Sequence, residues 1–364
     1  MFKRLFLITT LMMSFSSLLY AQGPGEAAVP FLLINPGARS GGMGESGVAL
    51  ANDATAVYWN PAGLAFQYVD PEIDSRGEVS LMHAKWLPQF NFSDLFYDFL
   101  AARYYVDGIG MLGAGITFLN LGENVATSTT GQEYDRFRSQ EYAFTLSYAT
   151  QLKPNLGLGV NLKLIRSELA PESINVGNES TNGRATGVAV DIGVMWMPDY
   201  EMFDNRLTVG ANMSNFGPAI FYNDEAQSDP LPTNLRVGIA YKVIDDEFNK
   251  MTVTYDANKP LYRREGDKAE NFITAAFYSS WFKGKLSDRW NAITHSLGLE
   301  YWYGDLIALR TGYFYENKNF GGRQFLTFGA GLKYNIFNFD FGYISDDKDS
   351  PLSDTIRYSL AVHF

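Results

Sequence analysis

The sequence has no cysteine and only three histidines among its 364 residues. The missing cysteine excludes disulfides, and it excludes a lipoprotein anchor, which needs a cysteine directly after the signal sequence. The histidines, His83, His295 and His363, lie on well separated predicted strands, so a dense His/Cys metal site is excluded. His295 and Ser296 are adjacent and face opposite ways, which removes the easiest hydrolase pair. We therefore predict no metal, no cofactor and no catalytic site.

Apolar runs of helical spanning length are absent after residue 21, so a membrane location would require a closed barrel. Upstream, Lys3 and Arg4 precede an apolar run that ends near Leu19, and Ala21 is followed by Gln22. This pattern predicts a signal peptide at residues 1–21 that is cleaved after Ala21. A retained membrane anchor is the alternative, because the apolar run is long.

Basic residues are outnumbered, with 29 Lys and Arg against 40 Asp and Glu and a net charge of -11. Loss of Lys3 and Arg4 would leave 27 basic residues against 40 and a net charge of -13. Nucleic acid is therefore not expected as a partner. Aromatic residues reach 15% and mean hydropathy is only -0.13, as alternating apolar and polar residues would give. A soluble β-sandwich would share part of this composition.

Apolar and polar residues alternate in many successive segments, from the one at residues 78–86 to the one at residues 355–364. Because consecutive side chains of a strand point to opposite faces, each segment predicts one lipid-facing row and one lumen-facing row. Counting these segments predicts an all-β fold, a transmembrane antiparallel β-barrel of about fourteen strands spanning residues 71–364. The last strand is the clearest, with Tyr358 and Phe364 in one row. Its terminal aromatic resembles the assembly signal of outer-membrane barrels, and outer-membrane lipids are the expected surroundings. Charged residues with the inward parity are Lys163, Asp191, Arg236, Lys242, Glu300, Arg310, Lys333 and Asp340.

Connections between the predicted strands alternate in length. Short links with turn residues occur at residues 107–108, 153–155, 304–305 and 335–338. Long polar links lie between them, at residues 87–98, 122–139, 168–185, 217–233, 258–293 and 345–354. A membrane barrel places short turns on the periplasmic side and long loops outside, whereas a soluble sandwich gives no reason for this sorting. The longest link carries Phe277, Trp281, Phe282 and Trp290, which predict a short helix, an inward fold or a locally packed aromatic girdle.

The segment at residues 22–70 lacks the alternation and is rich in Gly, Ala, Asn and Pro. It is expected to form a compact, irregular plug, because small residues allow close packing against a barrel wall. Arg39 is the exception among these small residues, and we expect it to pair with a lumen carboxylate such as Asp191 or Glu300.

Residues 53–64, Asp-Ala-Thr-Ala-Val-Tyr-Trp-Asn-Pro-Ala-Gly-Leu, resemble the hatch signature of the FadL superfamily, whose members are fourteen-stranded barrels plugged by their N-terminal segment. Residues 30–34 and 38–49 are similar to the start of the PorV/PorQ family, outer-membrane components of the type IX secretion system. Residues 119–122 and 164–169 extend this similarity into the barrel. The resemblance implies a plug motif of Arg39, Gly41, Gly42, Gly44, Asn60, Pro61 and Gly63.

The resemblance also implies a function that is not enzymatic. Such proteins receive secreted proteins with a β-rich C-terminal signal domain from the translocon and deliver them to a surface attachment complex. Aromatic residues in the outer loops would contact these partners, namely Tyr134, Phe137, Phe221 and Tyr222. The alternative is a FadL-like transporter of hydrophobic small molecules, which would need an apolar pocket beside the plug.

Overall fold

The protein is described by a computed structural model. It describes residues 27–68, 75–90, 92, 94–128, 130–171, 175–176, 179–180, 183–222, 228–266, 268–348 and 350–364. The expected signal peptide therefore lies outside the described residues, together with parts of the expected plug segment.

Fourteen antiparallel strands form one closed barrel, in which each strand pairs with its neighbours in sequence and the first pairs with the last. The predicted fold class is confirmed. The strands are β1 Gly77–Lys85, β2 Phe96–Val106, β3 Gly110–Thr127, β4 Glu133–Lys153, β5 Leu156–Glu168, β6 Arg184–Trp196, β7 Leu207–Phe216, β8 Asn234–Asp245, β9 Asn249–Pro260, β10 Thr294–Tyr303, β11 Ile307–Tyr315, β12 Gln324–Tyr334, β13 Phe337–Ser345 and β14 Ile356–His363. Two-residue pairings within loops join Asn175–Val176 to Glu179–Ser180 and Arg264–Glu265 to Lys268–Ala269.

The two faces of the wall follow the predicted alternation. On β6, Val188 and Ile192 are exposed, while Asp191 between them is fully buried. Apolar side chains cover the outward face because lipid surrounds it, and polar side chains turn inward where they find partners. No helix among the described residues is long and apolar enough to cross a membrane.

The chain terminus completes the closure. The amide of Phe364 donates to the carbonyl of Gly77 at 3.0 Å, and the carbonyl of Phe364 accepts from the Gly77 amide at 2.8 Å. Its ring stacks on Tyr104 with the centroids 6.3 Å apart, and Tyr358 lies exposed on the outward face of β14. A part for these two aromatics in barrel assembly stays a prediction.

Short helices lie outside the wall strands. They are Pro30–Leu33, Ala38–Gly41, Ala56–Trp59, Pro61–Phe66, Pro88–Phe90 and Glu201–Phe203, followed between β9 and β10 by Phe272–Thr274, Ala275–Ser279, Ser280–Phe282 and Leu286–Asn291. A short helix, one of the alternatives left open for the longest link, is therefore present.

One predicted loop is largely strand. Residues 122–139 were expected as a long polar link, yet β3 and β4 continue through most of it and pair from Glu123 with Arg138 to Thr127 with Glu133. Most residues on both faces of this extension are polar, as expected where strands continue into water, so the apolar alternation ends while the backbone pairing continues. We call residues 121–139 the projecting hairpin.

Candidate functional site in the lumen and at the outer mouth

Residues 27–68, here the lumen segment, pack against inward-facing residues of most of the barrel strands. A Cβ built on Gly42 would lie 2.9 Å from the Cα of Gly329 in β12, and one built on Gly298 of β10 would lie 2.6 Å from the Met43 carbonyl. Glycine at these contacts, on both sides in the case of Gly42 and Gly329, is therefore what allows the segment and wall backbones to approach so closely. The described part of the segment expected as a plug, residues 27–68, therefore contacts the inner wall of the barrel.

Gly44 shows the same close approach with an added backbone requirement. Its φ is +64°, in the left-handed region, and a Cβ there would lie 2.6 Å from both the Leu297 carbonyl oxygen and the Tyr313 amide nitrogen. A side chain at this position would meet the backbones of β10 and β11 at once. At Gly63, a Cβ would collide with the carbonyl of Ala51 within the segment itself.

Arg39 anchors the lumen segment to the wall through a two-pronged ion pair. Its Nη2 and Nε donate to the two carboxylate oxygens of Glu300 at 2.7 and 2.9 Å, and Nη1 reaches Asp53 at 3.0 Å. Of the two carboxylates considered from sequence, Glu300 is the partner, because Asp191 is held instead by Lys163 at 2.7 Å. Planar two-point pairing of this kind fixes orientation as well as charge.

The Arg39 pair belongs to a longer buried charge network. Arg310 donates from Nε to Glu300 at 2.7 Å and from Nη1 to Asp340 at 2.7 Å. Burial alone would lower the pKa of Arg39, but the Glu300 carboxylate outweighs it and raises the pKa above its ordinary value. Arg39 therefore stays charged, and removal of one member would leave buried charge uncompensated.

A second anchor, not predicted from sequence, joins Glu45 to Arg357 of β14. Arg357 Nη2 donates to Glu45 Oε1 at 2.6 Å, and Asn35 Nδ2 donates to Glu45 Oε2 at 2.7 Å. Both charged side chains are buried, with exposed fractions of 8% and 2%. Burial acts to raise the pKa of Glu45, yet the charge and hydrogen bond of Arg357 outweigh it, so the net shift is downward.

Wall side chains also capture the backbone of the lumen segment. The Asp256 carboxylate accepts from the amides of Gly47 and Val48 at 2.7 and 3.0 Å. Arg236 lies over the ring of the buried Trp59, with its guanidinium carbon 4.6 Å from the ring centroid. The alternation in β8 predicted that Arg236 faces the lumen. Its partner Trp59 could not be predicted, because the lumen segment follows an irregular path.

Asn60 is the hub of the hatch-like motif. Its Nδ2 donates to the carbonyls of Val48 and of Val194 on β6, both at 3.0 Å, and its Oδ1 accepts from the Ala62 amide at 3.1 Å. The last of these bonds caps the helix Pro61–Phe66, whose first residue needs no amide partner because it is proline. Asn60 thus ties together two parts of the segment and the wall.

An outer cavity and an inner cavity both touch the lumen segment and share no lining residue. The outer one has a volume of about 600 Å³ and is mainly apolar. The inner one has a volume of about 270 Å³ and is lined by charged residues that include Arg39, Arg103 and Asp340. The apolar lining of the outer cavity comes from Phe31, Ile34, Trp86, Leu119, Leu121, Leu169 and Leu352.

Polar groups line one side of the outer cavity. The Tyr222 hydroxyl donates to Ser167 Oγ at 2.9 Å, and Ser167 donates to the Glu141 carboxylate at 2.7 Å. Burial raises the pKa of Tyr222 to about 12. The cavity can therefore hold an apolar group while offering a few fixed polar contacts, which is the usual character of a binding pocket.

A family model described as type IX secretion system protein PorV matches residues 24–264. The chain belongs to the PorV family. As a closed barrel of this family, the protein resides in the outer membrane and takes part in type IX secretion. The matched residues include the whole lumen segment and strands β1 to β9. The PorV/PorQ family, which residues 30–34 and 38–49 resemble, is thereby confirmed.

Two toluene transporters of solved structure share this fold at low sequence identity. The toluene transporter TbuX of Ralstonia pickettii has a TM-score of 0.51 and 13% identity, covering 90% of this PorV-family chain and 98% of its own. The toluene transporter TodX of Pseudomonas putida has a TM-score of 0.52 and 14% identity, covering 90% and 96%. A FadL homologue of Pseudomonas aeruginosa has a TM-score of 0.44 and 11% identity, covering 90% and 97%. No curated protein matches the chain.

The predicted partner contacts of this PorV-family barrel fall into two places. Tyr134 and Phe137 lie on β4 within the projecting hairpin, where Phe137 is half-buried opposite Asn124. Phe221 is exposed at the outer surface, with 45% of its area accessible, whereas Tyr222 turns into the outer cavity. Phe221 and Tyr222 therefore do not share a surface, and a part in recognition stays a prediction for all four residues.

Proposed function

We propose that this protein receives secreted proteins with C-terminal signal domains from the type IX translocon at its outer mouth and hands them to the attachment complex at the cell surface. Membership of the PorV family is the basis for type IX secretion. The observation that supports handling of the secreted protein at the outer mouth is that the lumen segment is fixed inside the barrel. Passage of a polypeptide through the barrel would require the buried pairs at Arg39 and Glu45 to break. We also propose that residues 1–21 are removed as a signal peptide and that the protein acts without catalysis.

The projecting hairpin supports recognition of a β-rich domain. Among the described residues, β2 pairs with β3 only as far as Asn120, and β5 pairs with β4 only from Gln140. Within the part of the chain that the structure describes, both edges of the hairpin beyond these points lack a neighbouring strand. Open strand edges accept a further strand through backbone hydrogen bonds, which suits a β-rich signal domain.

The first experiment is retention of a purified C-terminal signal domain by the detergent-solubilised barrel. We expect the wild-type protein to retain the domain. A variant in which a two-residue turn replaces residues 124–137 should lose retention but keep its heat-dependent mobility shift as a folded barrel. If the wild-type barrel retains no signal domain, or if the shortened hairpin retains it equally well, the proposal fails.

A second candidate function is favoured by the outer cavity. The alternative predicted from sequence, transport of hydrophobic small molecules, needs an apolar pocket beside the N-terminal segment, and a cavity of about 600 Å³ lies beside residues 27–35. A Leu121→Trp variant would fill part of that cavity without touching the outer part of the hairpin. Extracted lipids measured by mass spectrometry should be unchanged by this variant if the barrel only handles proteins. Loss of a co-purifying fatty acid, with no signal domain retained, would favour transport.

A further inference from the structure

The loop between β9 and β10 carries its large apolar side chains on the side facing away from the protein. Within residues 272–291, here the aromatic loop, the small residues Ala275, Ala276 and Ser279 are buried against the rest of the molecule. The residues exposed by 38–66% are Ile273, Phe277, Tyr278, Trp281, Phe282, Leu286 and Trp290. An exposed apolar patch of this size on a helical surface marks a contact with a membrane or another protein.

The aromatic loop is continuous with the lipid-facing wall. Phe216, at the outer end of β7, pairs with Val190 of β6, and directly paired residues share a face. Val190 belongs to the exposed outward row, so Phe216 faces the lipid side as well. The rings of Phe272 and Phe277 pack edge-on against Phe216, with centroids 4.9 and 5.8 Å away. The loop therefore extends the outward surface of the barrel rather than covering its mouth.

The arrangement of the loop suits the boundary between lipid tails and headgroups. Trp281 donates from Nε1 to the Ala276 carbonyl at 2.8 Å, and the ammonium of Lys259 lies 5.4 Å from the centroid of its ring. Residues 272–291 contain three basic residues and one acidic residue, in a chain whose net charge is -11. Lys283 is paired with Glu265 and Glu270, so Lys285 and Arg289 are the cations left for a headgroup. Aromatic side chains beside basic ones are typical of elements that lie in the interfacial layer of a membrane, where anionic headgroups attract the cations.

We propose that the aromatic loop lies in the outer-leaflet interface of the membrane and binds anionic lipid headgroups and the acyl chains below them. It thereby fixes the depth and tilt of the outer rim beside β7. This inference rests on the outer-membrane barrel and does not depend on the delivery of secreted proteins.

The test uses the absence of cysteine in the native chain, which allows single labelling sites. Phe282→Cys and Trp290→Cys would carry an environment-sensitive fluorophore, with the full-length protein in vesicles of phosphatidylcholine and phosphatidylglycerol. Leu162→Cys, on the lipid-facing row of β5, is the matched site inside the lipid, and Asn319→Cys, exposed in another outer loop, is the matched site in water. The fluorescence emission of each labelled variant is measured in vesicles with and without lipids that are brominated near the headgroup end of their acyl chains.

We expect the labels at 282 and 290 to show blue-shifted emission and severalfold greater quenching by the brominated lipids than the label at 319. Emission and quenching equal to those at 319 would overturn the proposal. A blue shift without quenching would also overturn it, because the label would then be covered by protein. Replacement of phosphatidylglycerol by phosphatidylcholine should weaken the quenching at 282 and 290 but not at 162.

Discussion

The lumen segment and the aromatic loop are both irregular parts of a β-barrel protein. The large side chains of the lumen segment are buried, whereas those of the aromatic loop are exposed. Trp59 and Phe31 of the lumen segment are each 1% exposed, whereas Phe282 and Trp290 of the aromatic loop are 66% and 65% exposed. The lumen segment is covered by the protein's own wall, and its charges are paired there. The aromatic loop exposes apolar surface that only another phase or another molecule can cover. Buried ion pairs therefore indicate that the lumen segment is fixed in place. Exposed apolar side chains indicate that the aromatic loop contacts lipid or another molecule.

If the lumen segment is fixed by its buried pairs, the largest loss of stability is expected for the variant Arg39→Met. The variant leaves Glu300 with Arg310 as its remaining cation and leaves Asp53 without its Arg39 partner. Removal of one partner from a buried pair costs about 3 kcal/mol, the lower end of the usual range, since Arg310 still compensates Glu300. The midpoint of urea unfolding in detergent micelles, followed by tryptophan fluorescence, measures this change. Arg136→Met is the control, because Arg136 forms an exposed pair with Glu123 on the projecting hairpin. Equal midpoints for the two variants would show that the lumen pair adds no stability.

A smaller difference in the free energy of unfolding is expected between the variants Gly44→Ala and Gly131→Ala. Both glycines have a positive φ, +64° and +81°, so both substitutions strain the backbone similarly. Only Gly44 has neighbours in the way, because nothing lies within 4 Å of a Cβ at Gly131. The overpacking at Gly44 should add about 1–3 kcal/mol of destabilisation over Gly131→Ala. Equal unfolding midpoints would mean that the lumen segment can shift away from β10 and β11 without cost.

The third prediction concerns pH and compares Glu45→Gln with Glu265→Gln. The pKa of Glu45 is lowered in the folded protein, so its contribution is fully present above the unfolded value of about 4.5 and is lost as pH falls through the folded value. At pH 7 the variant should be less stable by about 2 kcal/mol, because glutamine can still accept a hydrogen bond from Arg357 but leaves the buried charge of Arg357 uncompensated. The gap in melting temperature between wild type and variant should narrow below pH 4.5.

Glu265 supplies the control for that gap. Its pKa is also lowered, by Lys283, but the pair lies exposed in an outer loop, and we expect no gap in melting temperature at any pH. A gap for Glu45→Gln that persists unchanged at low pH would contradict ionisation as its cause.

The parts of the fold that face lipid could be predicted from sequence, and the parts that face protein or water could not. Alternation located β6 and β14 because lipid demands an apolar residue at every second position. The projecting hairpin was hidden because water accepts polar residues on both faces of its strands. Parity placed Glu300 and Asp191 in the lumen, but the choice between them for Arg39 depended on the path of an irregular segment, which sequence patterns do not specify. The Glu45 to Arg357 pair was missed for the same reason, since 312 residues separate its members.

The smallest effect on stability is expected for Phe221→Ser, which nevertheless should have the clearest effect on recognition. Phe221 is exposed at the surface, so the free energy of unfolding should change by less than about 0.5 kcal/mol. If the outer loops receive the signal domain, retention of that domain should fall, because exposed aromatic anchors contribute strongly to interfaces. Tyr222→Phe is the neighbouring control, since it removes only the hydrogen bond to Ser167 inside the cavity and should cost about 1 kcal/mol of stability. If Tyr222→Phe loses retention of the signal domain and Phe221→Ser does not, the recognition site lies in the outer cavity rather than on the outer surface. Residues beside the lumen segment would then contact the partner, and would not serve stability alone.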